Sequence, residues 1–234
     1  MNFTAFLLYL ASATVMSLFL YAVSTRKNAP KYSEVEDELM DSKRLYRIAF
    51  YVSAVIGLFL SVVESFSKTG FDLLGAGLVS LTSAISFLVI VSFYTDHKYR
   101  NVDRVLLRAA LIPALILGAV RMAEIQIEPL IVLYIVGLLI AFSTMFAPTL
   151  GASDSRAYVL TVAFAMPFLG HTLTYYILIA GTALWIGYGV VYAIKNRTTK
   201  VSIPMVPYIL LPLAATPIVS SAFYGVPRMI EVLQ

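Results

Sequence analysis

The chain has 234 residues, 60% of them hydrophobic and 13% charged, with a mean hydropathy of +0.86. A water-soluble domain of that length carries far more charge, so the composition argues against a soluble fold. The absence of cysteine removes disulfides, thiolate zinc sites and thiol nucleophiles, leaving chemistry to oxygen and imidazole groups, while the formal charge of +4 says less than where the charges fall.

A helix needs about 20 apolar residues to cross the hydrocarbon core. Apolar runs bounded by charge predict spans at 3–23, 47–65, 71–94, 105–122, 127–148, 157–170, 172–194 and 203–223. The first run has no basic leading region and is followed by Arg26 and Lys27, so it reads as an uncleaved anchor rather than a signal peptide. Pro113 lies inside a span, which membrane helices tolerate when neighbours or water satisfy the freed carbonyl. The sixth span is the weakest, because the apolar stretch from Tyr158 to Ile194 is too long for one crossing and is interrupted by Pro167, Gly170 and His171. A tight external turn near His171 resolves it. The expected fold class is all-α, a polytopic transmembrane helix bundle of about eight spans. Residues 1–70 hold the first two spans and the loop 24–46, residues 71–223 a membrane core, and residues 224–234 a short tail.

With the N-terminus outside, segments 24–46, 95–104, 149–156 and 195–202 face the cytoplasm. Arg26, Lys27, Lys31, Lys43, Arg44, Arg47, Lys98, Arg100, Arg104, Arg108, Arg156, Lys195, Arg197 and Lys200 fall in or beside those segments, whereas Lys68, Arg121 and Arg228 do not. That asymmetry is what the positive-inside rule demands, and removing one span would scatter the charges to both faces. The loop 24–46 carries Glu34, Glu36, Asp37, Glu38 and Asp41 between basic ends. It reads either as a solvated loop or as an acidic run that attracts a basic segment of a partner.

Most acidic residues sit in loops, but two have unusual settings. Asp96 directly follows the apolar run Val91-Ser92-Phe93-Tyr94-Thr95, and Asp154 ends Leu150-Gly151-Ala152-Ser153-Asp154 just before another span. Both fall at the cytoplasmic boundary, where an ionisable group is costly unless it faces water or a partner. Two bland readings remain open: Asp154 as a helix N-cap, and Asp96 as a surface residue paired with Lys98 or Arg100. The functional reading pairs them. Neighbouring carboxylates repel, so one stays protonated as general acid while the other activates water, which is the logic of aspartic proteolysis.

The arrangement resembles the type IV prepilin and archaeal preflagellin peptidases. Asp96-His97-Lys98-Tyr99-Arg100-Asn101-Val102 is similar to that family's first aspartate segment, and Gly151-Ala152-Ser153-Asp154-Ser155-Arg156-Ala157 to its Gly-x-Gly-Asp segment. Ile203-Pro204-Met205-Val206-Pro207-Tyr208 resembles the proline-bearing start of the last helix. The resemblance covers roughly 71–223 and implies a peptidase-like membrane core with Asp96 and Asp154 as catalytic carboxylates and no cofactor. It also implies pilin-like or flagellin-like precursors as membrane-anchored partners, cut between a short basic leader and an apolar helix at the cytoplasmic face of the cell membrane. Two departures stand out: Asp103 where the family has proline, and Ser153 in place of the second glycine; serine lacks glycine's freedom at positive φ, so either the Asp154 turn is built differently or the backbone approaches substrate less closely. With no cysteine-rich region, methylation of the new N-terminus is not expected.

Other residues rank lower. His97 reads as a solvated histidine or as a tuner of Asp96, His171 belongs to the outer face, and Tyr94 and Tyr99 read as interfacial anchors. Gly75, Gly77, Gly181, Gly187 and Gly189 permit close helix packing. There is no phosphate loop, nucleotide fingerprint or metal-ligand cluster, and nothing that points to nucleic acid. The rival functions are a proton- or cation-coupled transporter, which predicts mid-membrane charge and an internal repeat, and a non-catalytic membrane subunit of a pilus or secretion assembly.

Overall fold

The computed structural model describes residues 2–28, 36–67, 71–99, 104–146, 151–197 and 204–227. Lys31, Glu34, Lys68, Arg100, Asn101, Val102, Asp103, Leu150, Lys200, Ile203 and Arg228 lie outside the described residues. So do the side chains of Arg26, Lys27, Glu36, Asp37, Glu38, Asp41, His97, Lys98 and Tyr99.

Eight α-helices make up the fold, with no strand among the described residues: α1 (Phe3–Asn28), α2 (Glu36–Ser67), α3 (Leu73–Tyr99), α4 (Arg104–Ile125), α5 (Glu128–Ser143), α6 (Ala152–Leu169), α7 (His171–Asn196) and α8 (Val206–Ser220). A 3-10 turn, Thr144–Phe146, extends α5, and a π-helical turn, Ser221–Gly225, extends α8. Seven of the eight are long and apolar enough to cross a membrane, so the chain is a multi-pass helical membrane protein. The exception is α6.

Several helices outrun the apolar runs that announce them. α2 begins at Glu36 rather than 47, so most of the acidic run is helical rather than looped. Glu, Leu, Met, Lys and Arg are good helix formers whether or not lipid surrounds them, and hydropathy marks the membrane rather than the helix. α6 likewise begins five residues before its apolar run. The turn expected near His171 is a single residue, Gly170, at φ 90° and ψ 160°, a region that side-chain-bearing residues avoid. It separates α6 from α7 without a loop.

The chain divides into two compact units, residues 1–91 with 214–234, and residues 92–213. In the first, α1 packs along α2. The contact is made by small residues and hydroxyls: Ser53 Oγ donates to Ser17 Oγ at 3.1 Å, and a Cβ on Gly57 would lie 2.8 Å from Ala13 Cβ. Asp72 caps α3 by accepting the Leu74 and Gly75 N–H groups, each at 3.1 Å, and its own N–H donates to Tyr9 Oη.

The second unit is organised around α6, which packs against α4, α5 and α7. Its residues from Val159 to Met166 are buried, so it faces protein and does not need the hydropathy that its neighbours use against lipid. Contact with α4 is close enough that a Cβ on Gly118 would lie 2.6 Å from the Ala163 carbonyl and 3.2 Å from Pro167 Cγ. Pro167 has no N–H to give that carbonyl one turn back, and Gly118 lies against it instead; the Tyr134 hydroxyl of α5 is buried beside Gly118 without a hydrogen-bond partner among the described residues. On α5, Gly137 sits opposite Val162 and Met166. Tyr134 and Met166 pack together near the start of α5 and the end of α6, while Ser155 at the start of α6 meets Thr144 past the end of α5, so these two helices are antiparallel; the two-residue joint 126–127 turns α4 back on α5, and α4 runs parallel to α6.

Candidate active site

Asp154 occupies the third position of α6. The N-cap is Gly151, not Asp154, and the carboxylate folds back to accept the Gly151 N–H at 3.2 Å, one half of a capping box. A glycine there has a steric reason: a Cβ would lie 2.8 Å from Asp154 Oδ2. Its backbone is ordinary extended chain, φ −67° and ψ 149°, and Ser153 is helical, so no positive-φ turn precedes Asp154. The Ser153 departure costs the backbone nothing. Fully buried Ser155 fixes the helix start by donating its hydroxyl to the Thr144 carbonyl at 3.0 Å, which ties the opening of α6 to the end of α5.

Asp96 lies in the last turn of α3 and is 8% exposed, unusual burial for a carboxylate. One turn earlier, Phe93 packs edge-on against Tyr208 with centroids 5.5 Å apart, and Tyr208 stacks on Tyr188 at 5.1 Å. Tyr208 belongs to the proline-bearing segment singled out in the sequence. Pro204 and Pro207 are buried, and the Tyr208 and Ile209 N–H groups both donate to the Met205 carbonyl as α8 begins. α7 closes on this segment at Gly181, where a Cβ would lie 3.0 Å from Ile209 Cα. The segment thus braces the end of α3 that carries Asp96.

The two carboxylates sense one another. Burial pushes the Asp154 carboxyl up to about 6, the negative charge of Asp96 pushes it the same way, and the Gly151 N–H opposes both. Helices that begin far apart in the sequence therefore bring Asp96 and Asp154 to one electrostatic site. A carboxyl raised in this way beside a second carboxylate is the arrangement in which one member can keep its proton while the other ionises.

Three arginines occupy the same end of the unit. Arg156 follows Asp154 by two residues on α6, and Arg104 and Arg108 occupy the first turns of α4. Burial first, then the charges of Arg108 and Arg104, lower the Arg156 guanidinium from its ordinary value. Composition and spacing mark these residues only as indicators of orientation. Sequence reasoning also passed over Ser92, whose Oγ is buried without a hydrogen-bond partner among the described residues. It lies one helical turn before Asp96, and that i, i+4 spacing is the signal that could have found it.

His171 is exposed, and among the described residues no group of three or more His, Asp and Glu is arranged to hold a metal. A cleft of about 290 Å³ opens between α5, α6 and α7, with Thr144 and Tyr158 at one end and only apolar or hydroxyl side chains along it. Ionisable chemistry in this unit is therefore concentrated at the helix ends. No protein-family model matches the chain, and neither the curated proteins nor the solved structures contain a significant match.

Proposed function

We propose that the protein is a membrane aspartic endopeptidase in which Asp96 and Asp154 activate water to hydrolyse a peptide bond. The observation that carries this reading is a half-buried carboxyl, Asp154, pushed up to about 6 first by its burial and then by the negative charge of the buried Asp96. Asp154 is then the general acid that protonates the leaving amine, and Asp96 the base that takes a proton from water. Resemblance to the prepilin and preflagellin peptidases supplies the substrate: a membrane-anchored precursor cut at the cytoplasmic face of the cell membrane, between a basic leader and an apolar helix. The acidic run at Glu36, Asp37, Glu38 and Asp41 attracts that leader.

Asp96→Asn and Asp154→Asn, tested separately by co-expression with pilin-like precursors and sequencing of the trimmed N-terminus, should each lower cleavage about 10²- to 10⁴-fold. Full cleavage by both variants sinks the reading.

A second reading has one observation in its favour. Thr82, Ser86, Ser92 and Asp96 share one face of α3 and are all buried, a polar stripe of the kind that lines a proton or cation path in a membrane helix. Proton- or cation-coupled uptake by reconstituted protein, abolished in Asp96→Asn, would favour the transporter.

A further inference from the structure

We propose that Arg104, Arg108 and Arg156 form a seat for the phosphate of an anionic phospholipid headgroup at the end of α4 and α6. The juxtaposition follows from the helix packing. Gly118 of α4 lies against Ala163 and Pro167 of α6. Counting back along two parallel helices from that contact puts Arg108 level with Arg156, with Arg104 one turn nearer the end. The charges of Arg108 and Arg104, which after burial lower the Arg156 guanidinium, agree with that placement.

Three features make a phosphate the fitting occupant. Guanidinium groups bind phosphate oxygens in a fixed, forked geometry that lysine does not offer. The start of α4 adds the positive end of its helix dipole to the arginine charge, while the start of α6 is already capped by Asp154. And the cluster stands where apolar helices end, beginning with Arg104 at the first residue of a membrane-length helix, the depth at which headgroup phosphates are found. Arg104 and Arg108 are exposed and Arg156 is half-buried, so a headgroup approaching from the membrane meets two exposed guanidiniums and one partly covered by protein. The seat stands whether or not the carboxylate pair is catalytic.

The test uses the full-length protein purified in a mild detergent and mixed with equal amounts of phosphatidylglycerol and phosphatidylcholine, with retained lipid counted by native mass spectrometry. Phosphatidylglycerol should be retained preferentially, and each arginine lost should weaken that preference about fivefold. Arg104→Gln/Arg108→Gln alters only exposed side chains and leaves the fold intact, and Arg108→Gln/Arg156→Gln removes the half-buried member. Arg121→Gln, whose side chain instead pairs with Glu124 at 3.5 Å, should leave the preference unchanged. Equal retention of the two lipids, a preference that survives in the folded Arg104→Gln/Arg108→Gln variant, or displacement of the lipid by an equal concentration of inorganic phosphate would each overturn the proposal.

Discussion

The carboxylate of Asp154 and the backbone of Gly151 occupy one another's space: Oδ2 accepts the Gly151 N–H at 3.2 Å and stands 2.8 Å from where a Cβ on residue 151 would be. Gly151→Ala should therefore push the carboxylate off its cap. The helix start should weaken by about 1 kcal/mol, a typical loss for a cap, measured by thermal unfolding in detergent. If Asp154 is catalytic, cleavage should fall by much more than this stability loss explains; a drop in both that tracks stability alone would leave Asp154 a capping residue.

The coupling of Asp154 to Asp96 has a definite sign. Asp154 keeps its proton to about pH 6, against an ordinary value of 3.8, so a reaction that needs it as an acid should slow as pH rises through 6. The folded chain binds that proton more tightly than the unfolded chain. The associated stability is thus full below about pH 4 and lost as pH rises to 6, on the order of 2–3 kcal/mol. Asp96→Asn removes the repulsion but not the burial. The protonated-carboxyl infrared band of Asp154 should then titrate below the wild-type value and still above 3.8. An unchanged titration would mean that the two charges do not meet.

Gly118 and Gly137 offer a graded packing test on the two sides of α6. A methyl group on Gly118 meets the Ala163 carbonyl and Tyr134 Oη, each at 2.6 Å, and a backbone carbonyl cannot swing aside. At Gly137 the nearest atoms are Val162 Cγ1 at 3.3 Å and the flexible end of Met166 at 3.4 Å. Gly118→Ala should cost about 1–3 kcal/mol and Gly137→Ala much less. Gly187→Ala, with open space around it, should be neutral or slightly stabilising. Thermal unfolding of the three variants ranks them directly.

The single-residue joint at Gly170 makes a separate prediction. A Cβ there meets no atom within 4 Å, so any penalty is purely conformational. Gly170→Ala should destabilise by about 1–3 kcal/mol through its φ of 90°, with no change in the Asp154 titration. A neutral result would show that the α6–α7 joint can relax into another turn.

Much of the helix inventory was legible because membrane spans are announced by long apolar runs and by the side on which arginine and lysine accumulate. The extra turns of α2 and α6 were not, since charged helix formers extend a helix past the lipid without any apolar signal. α6 read as the weakest span for a physical reason: it is enclosed by α4, α5 and α7, and a helix that meets protein on its sides can carry Asp154, Arg156 and Pro167. Asp96 and Asp154 could be singled out from their settings, but their mutual influence belongs to tertiary structure. Gly151 was legible as part of a motif, but its steric cause, the Asp154 carboxylate folded back against its backbone, belongs to the structure.

The parallel course of α4 and α6 bears on how the protein is made. Two neighbouring helices that point the same way cannot be joined directly; the chain must first cross back through α5. Asp154 is the third residue of the sixth helix, so throughout synthesis and insertion of the first five the ribosome-bound chain holds Asp96 without its counterpart. Any product ending before residue 154 is electrostatically incomplete, and the carboxylate pair is born only when the sixth helix threads into place.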